Sequence, residues 1–297
     1  MIYHNMFPHE NLFLKKFPAP QLAEGDMGRM RVIPLELSVP ETENLLFKCR
    51  EHGSTVEGML LSAANIAMSR LINEGATPLS MTFHSTHAVT LRRYVPTDMS
   101  NTLGCFISVH ELALNTPADT SDQFWPLAVR ATKEIHAVLD NGGLLQEYRA
   151  MLRLFSDKTV KKIMANKVAE NEYETSNIGD YDLVFPAEDK HVKVTKVVSS
   201  TAMQDLHTPF VHYLRKFRGR FLYNLDYATN WTSTENAHKY ANMTVQLMKE
   251  ASRRNMCTLS SVAANLPASS FHRRIGMPST PRVCGFIRFS RILRYVR

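Results

Sequence analysis

The sequence predicts an α/β protein in which a mixed sheet carries helices on one face, a two-layer sandwich spanning residues 30–251. Three observations point there. Period-2 and period-3.6 apolar patterns alternate in the order β-α-α-β-β-α-α-β-β-β-α. Several strands follow one another with no helix between them, which excludes a regular doubly wound sheet. Helix starts are marked by cap residues of the Ser/Thr-x-x-Glu kind.

Residues 1–29 contain Pro8, Pro18, Pro20, Gly25 and Gly28, which break any long periodic element, so this stretch reads as a linker or crossover. Ile33, Leu35 and Leu37 then alternate as in a strand. Ser38-Val39-Pro40-Glu41 supplies an N-cap, a first-turn proline and a capping-box glutamate for a helix that runs to about His52 and stops at Gly53. Ser54-Thr55-Val56-Glu57 repeats the box, and Val56, Met59, Leu60, Ala63, Ala67 and Leu71 recur at helical spacing.

Leu79, Met81 and Phe83 alternate with Ser80, Thr82 and His84, a strand register that continues to Leu91 before a turn at Val95–Asp98. Leu103, Cys105, Ile107 and Val109 form the next strand, followed by a helix from about Asp122 to Asp140 ended by Asn141-Gly142-Gly143. Further helix is expected at 144–155 and 159–169. The segment 173–227 turns to β at Val192 and Val194, at Phe210–Leu214, and at Phe221, Tyr223, Leu225 and Tyr227. Thr232-Ser233-Thr234-Glu235 caps a last helix that reaches about Glu250.

A chain of 297 residues, 44% hydrophobic, can bury a large core. No run of about 18 apolar residues and no charged start followed by an apolar stretch is present, so the chain reads as soluble and cytoplasmic. Cys49, Cys105, Cys257 and Cys284 are scattered and form no C-x-x-C pair, which argues against a zinc or redox motif. The net charge of +7 suggests nucleic acid until it is partitioned. From Ala251 onward every charged residue is an arginine, and residues 1–250 are slightly acidic, so no nucleic-acid partner is expected. Residues 252–297 read as a basic, disordered tail. A membrane-surface helix over Phe286–Arg297 is the alternative, since its apolar and arginine positions fall on opposite arcs.

The histidines offer weak sites. His136 and Asp140 match H-x-x-x-D, but His136 lies on the flank of its helix and Asp140 turns toward solvent, so capping and the helix dipole explain them. His84 and His87, three apart on a strand, point to opposite faces and cannot chelate one ion together. His207 and His212 read as hydrogen-bonded neighbours. No metal is expected. Arg92-Arg93 closes a strand and reads either as a structural ion pair or as a phosphate-binding pair.

Several stretches, in the same order, resemble the C-terminal domain of the acyltransferases grouped with phthiocerol/phthiodiolone dimycocerosyl transferase, alcohol acetyltransferases and peptide-synthetase condensation domains. They are Leu45–Ile72, Val89–Tyr94, Leu103–Phe106, Phe124–Ala128, Ser176-Asn177-Ile178-Gly179 and Gly219–Asn224, within Phe17–Ala251. The resemblance implies one half of a chloramphenicol acetyltransferase-like fold, with a substrate channel between two such domains. It implies transfer of an acyl group from a coenzyme A or carrier-protein thioester to an alcohol or amine, with no bound cofactor. In that family a His-His-x-x-x-Asp motif of the preceding domain supplies the base, and no two adjacent histidines occur in these 297 residues.

No catalytic residue is therefore assigned. Ser176, Asn177 and Gly179 become candidates for a channel wall or oxyanion site, or for a tight loop with no further role. Arg92 and Arg93 become candidates for a coenzyme or carrier phosphate. Expected partners are an N-terminal acyltransferase domain or a second copy of the chain, through an apolar face left uncovered. The alternative is a non-catalytic module that binds a lipid, an acyl carrier or a protein.

Overall fold

A computed structural model describes residues 10–24, 26, 28–94, 102, 104, 106–146, 149, 169, 171–185, 193–201 and 208–253. Its elements are α1 (Leu12–Lys16), β1 (Met30–Glu36), α2 (Val39–His52), α3 (Val56–Ile72), β2 (Met81–Thr90), β3 (Ile107–Thr116), α4 (Phe124–Asp140), β4 (Tyr173–Asp180), β5 (Phe210–Phe217), β6 (Arg220–Ala228) and α5 (Thr234–Ser252). Six strands form one mixed sheet in the order β1-β6-β5-β4-β2-β3. The centre, β2-β4-β5, is parallel, and the flanking pairs are antiparallel. This is the mixed sheet with helices on one face that the sequence predicts.

The helices form where the caps place them. Ser38 closes a full capping box with Glu41, and Gly53 ends α2 in the left-handed conformation at φ +69°. The next two caps lie one residue later than expected. Thr55 accepts from Gly58 N and Ser233 accepts from Asn236 N. The shift at Thr55 frees Glu57 from capping duty.

Helix α3 is the hub of the helical layer, buried along nearly its whole length and packed against α4 and α5. Such a helix is largely apolar, with buried Ser62, Asn65 and Ser69 among its few polar positions, and it depends on small residues where neighbours come close. Gly58 is one of these, since a Cβ there would overlap Thr132 Oγ1 and the Ala128 carbonyl of α4. The sheet meets this layer with Phe83, Tyr173, Phe210, Leu214, Tyr223 and Leu225. His212 stands among them, 0% exposed, bonded to Tyr223 Oη at 2.9 Å and Tyr240 Oη at 3.0 Å.

Five local expectations change. Residues 12–16, within the stretch read as a linker, form a helix that buries Phe13 completely against Phe210, with ring centroids 4.9 Å apart. Ser176–Gly179 is not a turn but the second half of β4, paired along one side with β5, beyond the Tyr173–Thr175 stretch that pairs with β2. Val194 lies in no strand, and Val192 is outside the described residues. The strand read from Leu103 begins at Ile107 and continues to Thr116, Leu103 and Cys105 being outside the described residues. Residues 143–146 are helical; the rest of the 144–155 helix, apart from helical Arg149, lies outside the described residues, as do residues 159–168. Ala169 is not helical, and the tail from residue 254 also lies outside.

Candidate functional site

Strand β4 carries the Ser-Asn-x-Gly segment. Tyr173 and Thr175 point into the helical layer, so neighbouring Glu174 and Ser176 face the other way. Ser176 pairs with Tyr213 and Asn177 with Leu214, after which the register slips and Gly179 pairs with Arg215. That slip is a β-bulge, and Gly179 sits in it at φ +84°, a conformation that favours glycine. Asn177 Oδ1 accepts from Gly179 N at 3.2 Å, which takes that N–H out of any oxyanion hole. Ser176 is half-buried, and its hydroxyl has no hydrogen-bond partner among the described residues.

Directly behind Ser176, on the helix side, lies a relay that sequence reading did not assemble. Ser85 Oγ stands 3.0 Å from His87 Nε2, and His87 Nδ1 stands 2.7 Å from Thr175 Oγ1 and 3.2 Å from Glu57 Oε1. Thr175 Oγ1 donates in turn to Glu57 Oε1. These directions require the hydrogen on Nδ1; in the neutral ring Nε2 is then the acceptor for the Ser85 hydroxyl, which also lies 3.5 Å from the Leu112 carbonyl. Hydroxyl, imidazole and carboxylate thus follow one another as in a nucleophile, its base and an orienting acid.

The relay is closed to substrate. Ser85 is 1% exposed and His87 2%. Glu57 Oε2 is buried without a hydrogen-bond partner. Such an arrangement ties α3, β2 and β4 together under Ser176; it cannot meet an acceptor hydroxyl as it stands.

The remaining histidines are placed as the sequence suggested or lie elsewhere. His84 and His87 occupy opposite faces of β2. His110 pairs across the strands with His87, and burial, helped by His87, pushes its imidazole down to about 4. Burial pushes His212 down to about 3, again with a smaller contribution from His87. His136 and Asp140 are both exposed on α4, and His207 lies outside the described residues. Among the described residues no group of three or more His, Cys, Asp or Glu is placed to hold a metal. Arg92 donates to Thr102 O at 2.8 Å and lies 4.5 Å over the Phe106 ring, so its guanidinium closes the strand end. Arg93 lies in the same short 3-10 turn, and its side chain is outside the described residues.

The helix-free face of the sheet is polar and buried around Arg215, which is 2% exposed. Arg215 donates to Asn224 Oδ1 at 2.7 Å and to Val197 O at 3.2 Å, Asn224 donates to Ser199 O at 3.2 Å, and Asp226 Oδ2 accepts from Thr201 N at 3.3 Å. These side chains hold residues 197–201 across the face as an extended strap. Burial raises Asp226 to about 6 and Glu174 to about 7, against weaker opposing hydrogen bonds.

No family model matches the chain, and no curated protein matches it. Its fold does recur in solved structures. TRI3 trichothecene 15-O-acetyltransferase from Fusarium sporotrichioides superposes with a TM-score of 0.63 at 18% identity, over 80% of this chain and 49% of that one. The condensation domain from the Monacolin K polyketide synthase MokA gives 0.56 at 14%, over 82% and 52%. The epimerization domain from the third module of tyrocidine synthetase B gives 0.56 at 12%, over 80% and 51%. At these identities the likeness is one of fold, and the chain spans about half the length of each. The fold class expected from the resemblance stands, and among the described residues no helix is long and apolar enough to cross a membrane.

Proposed function

We propose that these 297 residues form the C-terminal-type half of an acyltransferase that moves an acyl group from a coenzyme A or carrier thioester to an alcohol or amine. On this reading the chain has no turnover of its own until a domain bearing His-His-x-x-x-Asp is joined to it. The carrying observation is the pairing of a half-length fold match with a sealed histidine relay. A thioester is already activated, so transfer needs a positioned acceptor, a base and oxyanion donors. Ser176 is the candidate donor on this half, its hydroxyl having no hydrogen-bond partner among the described residues.

The burial of Ser85 and His87 also favours a second reading, a non-catalytic module that keeps the channel wall for binding alone. Reconstitution separates the two. The chain is mixed with a separately expressed His-His-x-x-x-Asp domain, acetyl-coenzyme A and a panel of alcohols, and free thiol is followed. The enzyme reading expects release only in the mixture, reduced about tenfold or more by Ser176→Ala. Association without thiol release would select the binding module.

A further inference from the structure

A cavity of about 600 Å³ opens between α1 and the start of β2, at the end of the sheet remote from Ser176. Its nearest strand position to the relay is His84, and Thr82, also on its wall, is about 17 Å along β2 from His87. Leu12, Ile72, Leu79 and Met81 supply apolar wall, and Lys15, Lys16 and Glu10 stand at its edge. Lys15 is engaged by Glu10 at 2.6 Å, whereas Lys16 has no ion-pair partner among the described residues. Leu79 is 62% exposed, the most exposed large apolar side chain described.

Both walls are fixed by one buried group. The Glu172 carboxylate, 0% exposed, accepts from Leu12 N at 2.9 Å and from His84 N at 2.7 Å, pinning the helix and the strand that flank the opening. Phe13, buried behind Leu12, keeps α1 from lifting. The cavity is therefore preformed, of a size normal for small-ligand sites, and mostly apolar with a cationic edge.

We infer that this cavity binds an unbranched aliphatic chain ending in a single anionic group, the chain lying against Leu79, Ile72 and Met81 and the anion meeting Lys16. Methionine suits a flexible chain, because its thioether adapts to irregular contacts. Burying the chain also covers the exposed Leu79, a gain that scales with apolar area removed from water. A carboxylate or a phosphate monoester satisfies the same lysine. The inference does not rest on acyl transfer, and it is read by binding alone.

The test is calorimetric titration of the full chain with decanoate, decyl phosphate and 1-decanol. Either anion, or both, is expected to bind at least about tenfold more tightly than the alcohol, and the relative affinity of the two identifies the head group. Lys16→Glu should weaken anion binding about tenfold and leave the alcohol unchanged, while Leu79→Asp should weaken every ligand that binds. Both positions are exposed, so neither variant endangers folding. Absence of binding by both anions, equal affinity for anion and alcohol, or anion affinity unmoved by either substitution overturns the assignment.

Discussion

Glu57 and His87 meet at 3.2 Å, a contact between the first turn of α3 and the middle of β2 that is shared with Thr175 of β4. Three elements are thereby fixed at one point beside Ser176, just ahead of the Gly179 bulge. Because His87 and Thr175 are buried, removing one member strands the others, and a buried unsatisfied polar group costs about 1–3 kcal/mol.

His87→Ala should therefore lower stability by about 2–4 kcal/mol, adding lost packing to the hydrogen bonds that Ser85, Thr175 and Glu57 make to the ring. Glu57→Gln should cost less. Denaturant melts of the single and double variants should give a coupling of about 1 kcal/mol or more. Strict additivity would mean the contact carries no energy.

Gly58→Ala inverts the helix-propensity expectation. Alanine is normally the better helix former, by about 1 kcal/mol over glycine in a helix interior, and Gly58 lies in the first turn of α3. Here the new methyl meets Thr132 Oγ1 and the Ala128 carbonyl, so α3 and α4 must part, at a cost of about 1–3 kcal/mol. Thermal melting settles the sign.

Phe13→Ala should destabilise by about 3 kcal/mol, the usual cost of emptying a buried aromatic site. A loss below about 0.5 kcal/mol would show that α1 does not belong to the folded core.

The pH dependence has two opposing parts. His110 and His212 have folded values pushed down to about 4 and about 3, so they contribute stability above the unfolded value near 6.5 that is lost as pH falls through that range. Glu172 and Glu174, both raised by burial to about 7, act oppositely: their contribution is present below about 4.5 and is lost as pH rises toward 7. Glu174→Gln should raise stability at pH 8 and change it little at pH 4. Urea midpoints from pH 4 to 8 test this, and a uniform shift across the range would contradict it.

Much of the fold is legible in the sequence because its helices announce themselves locally. Ser38, Glu41 and Gly53 are start and stop signals that need no tertiary partner. Strands β5 and β6 read clearly through their alternation. Strand β4 does not, because Glu174, Asn177 and Gly179 have low strand propensity, and the strand exists through backbone pairing with β2 at Tyr173–Thr175 and with β5 from Glu174 to Asp180. Opposite facing of His84 and His87 followed from strand geometry. The partners of His87 did not, since Glu57 and Thr175 are distant in sequence and Glu57 occupies a position that also suits a helix cap. Ser85, two residues before His87 on the same face, was the one local signal available.

The most direct test of the central claim is thiol release from acetyl-coenzyme A by the isolated 297-residue chain, with and without an alcohol acceptor. Wild type and His87→Gln alike should release thiol at the rate of the protein-free control. Acceptor-dependent release by wild type that vanishes in His87→Gln would contradict it, because the Ser85–His87–Glu57 relay would then be open to substrate.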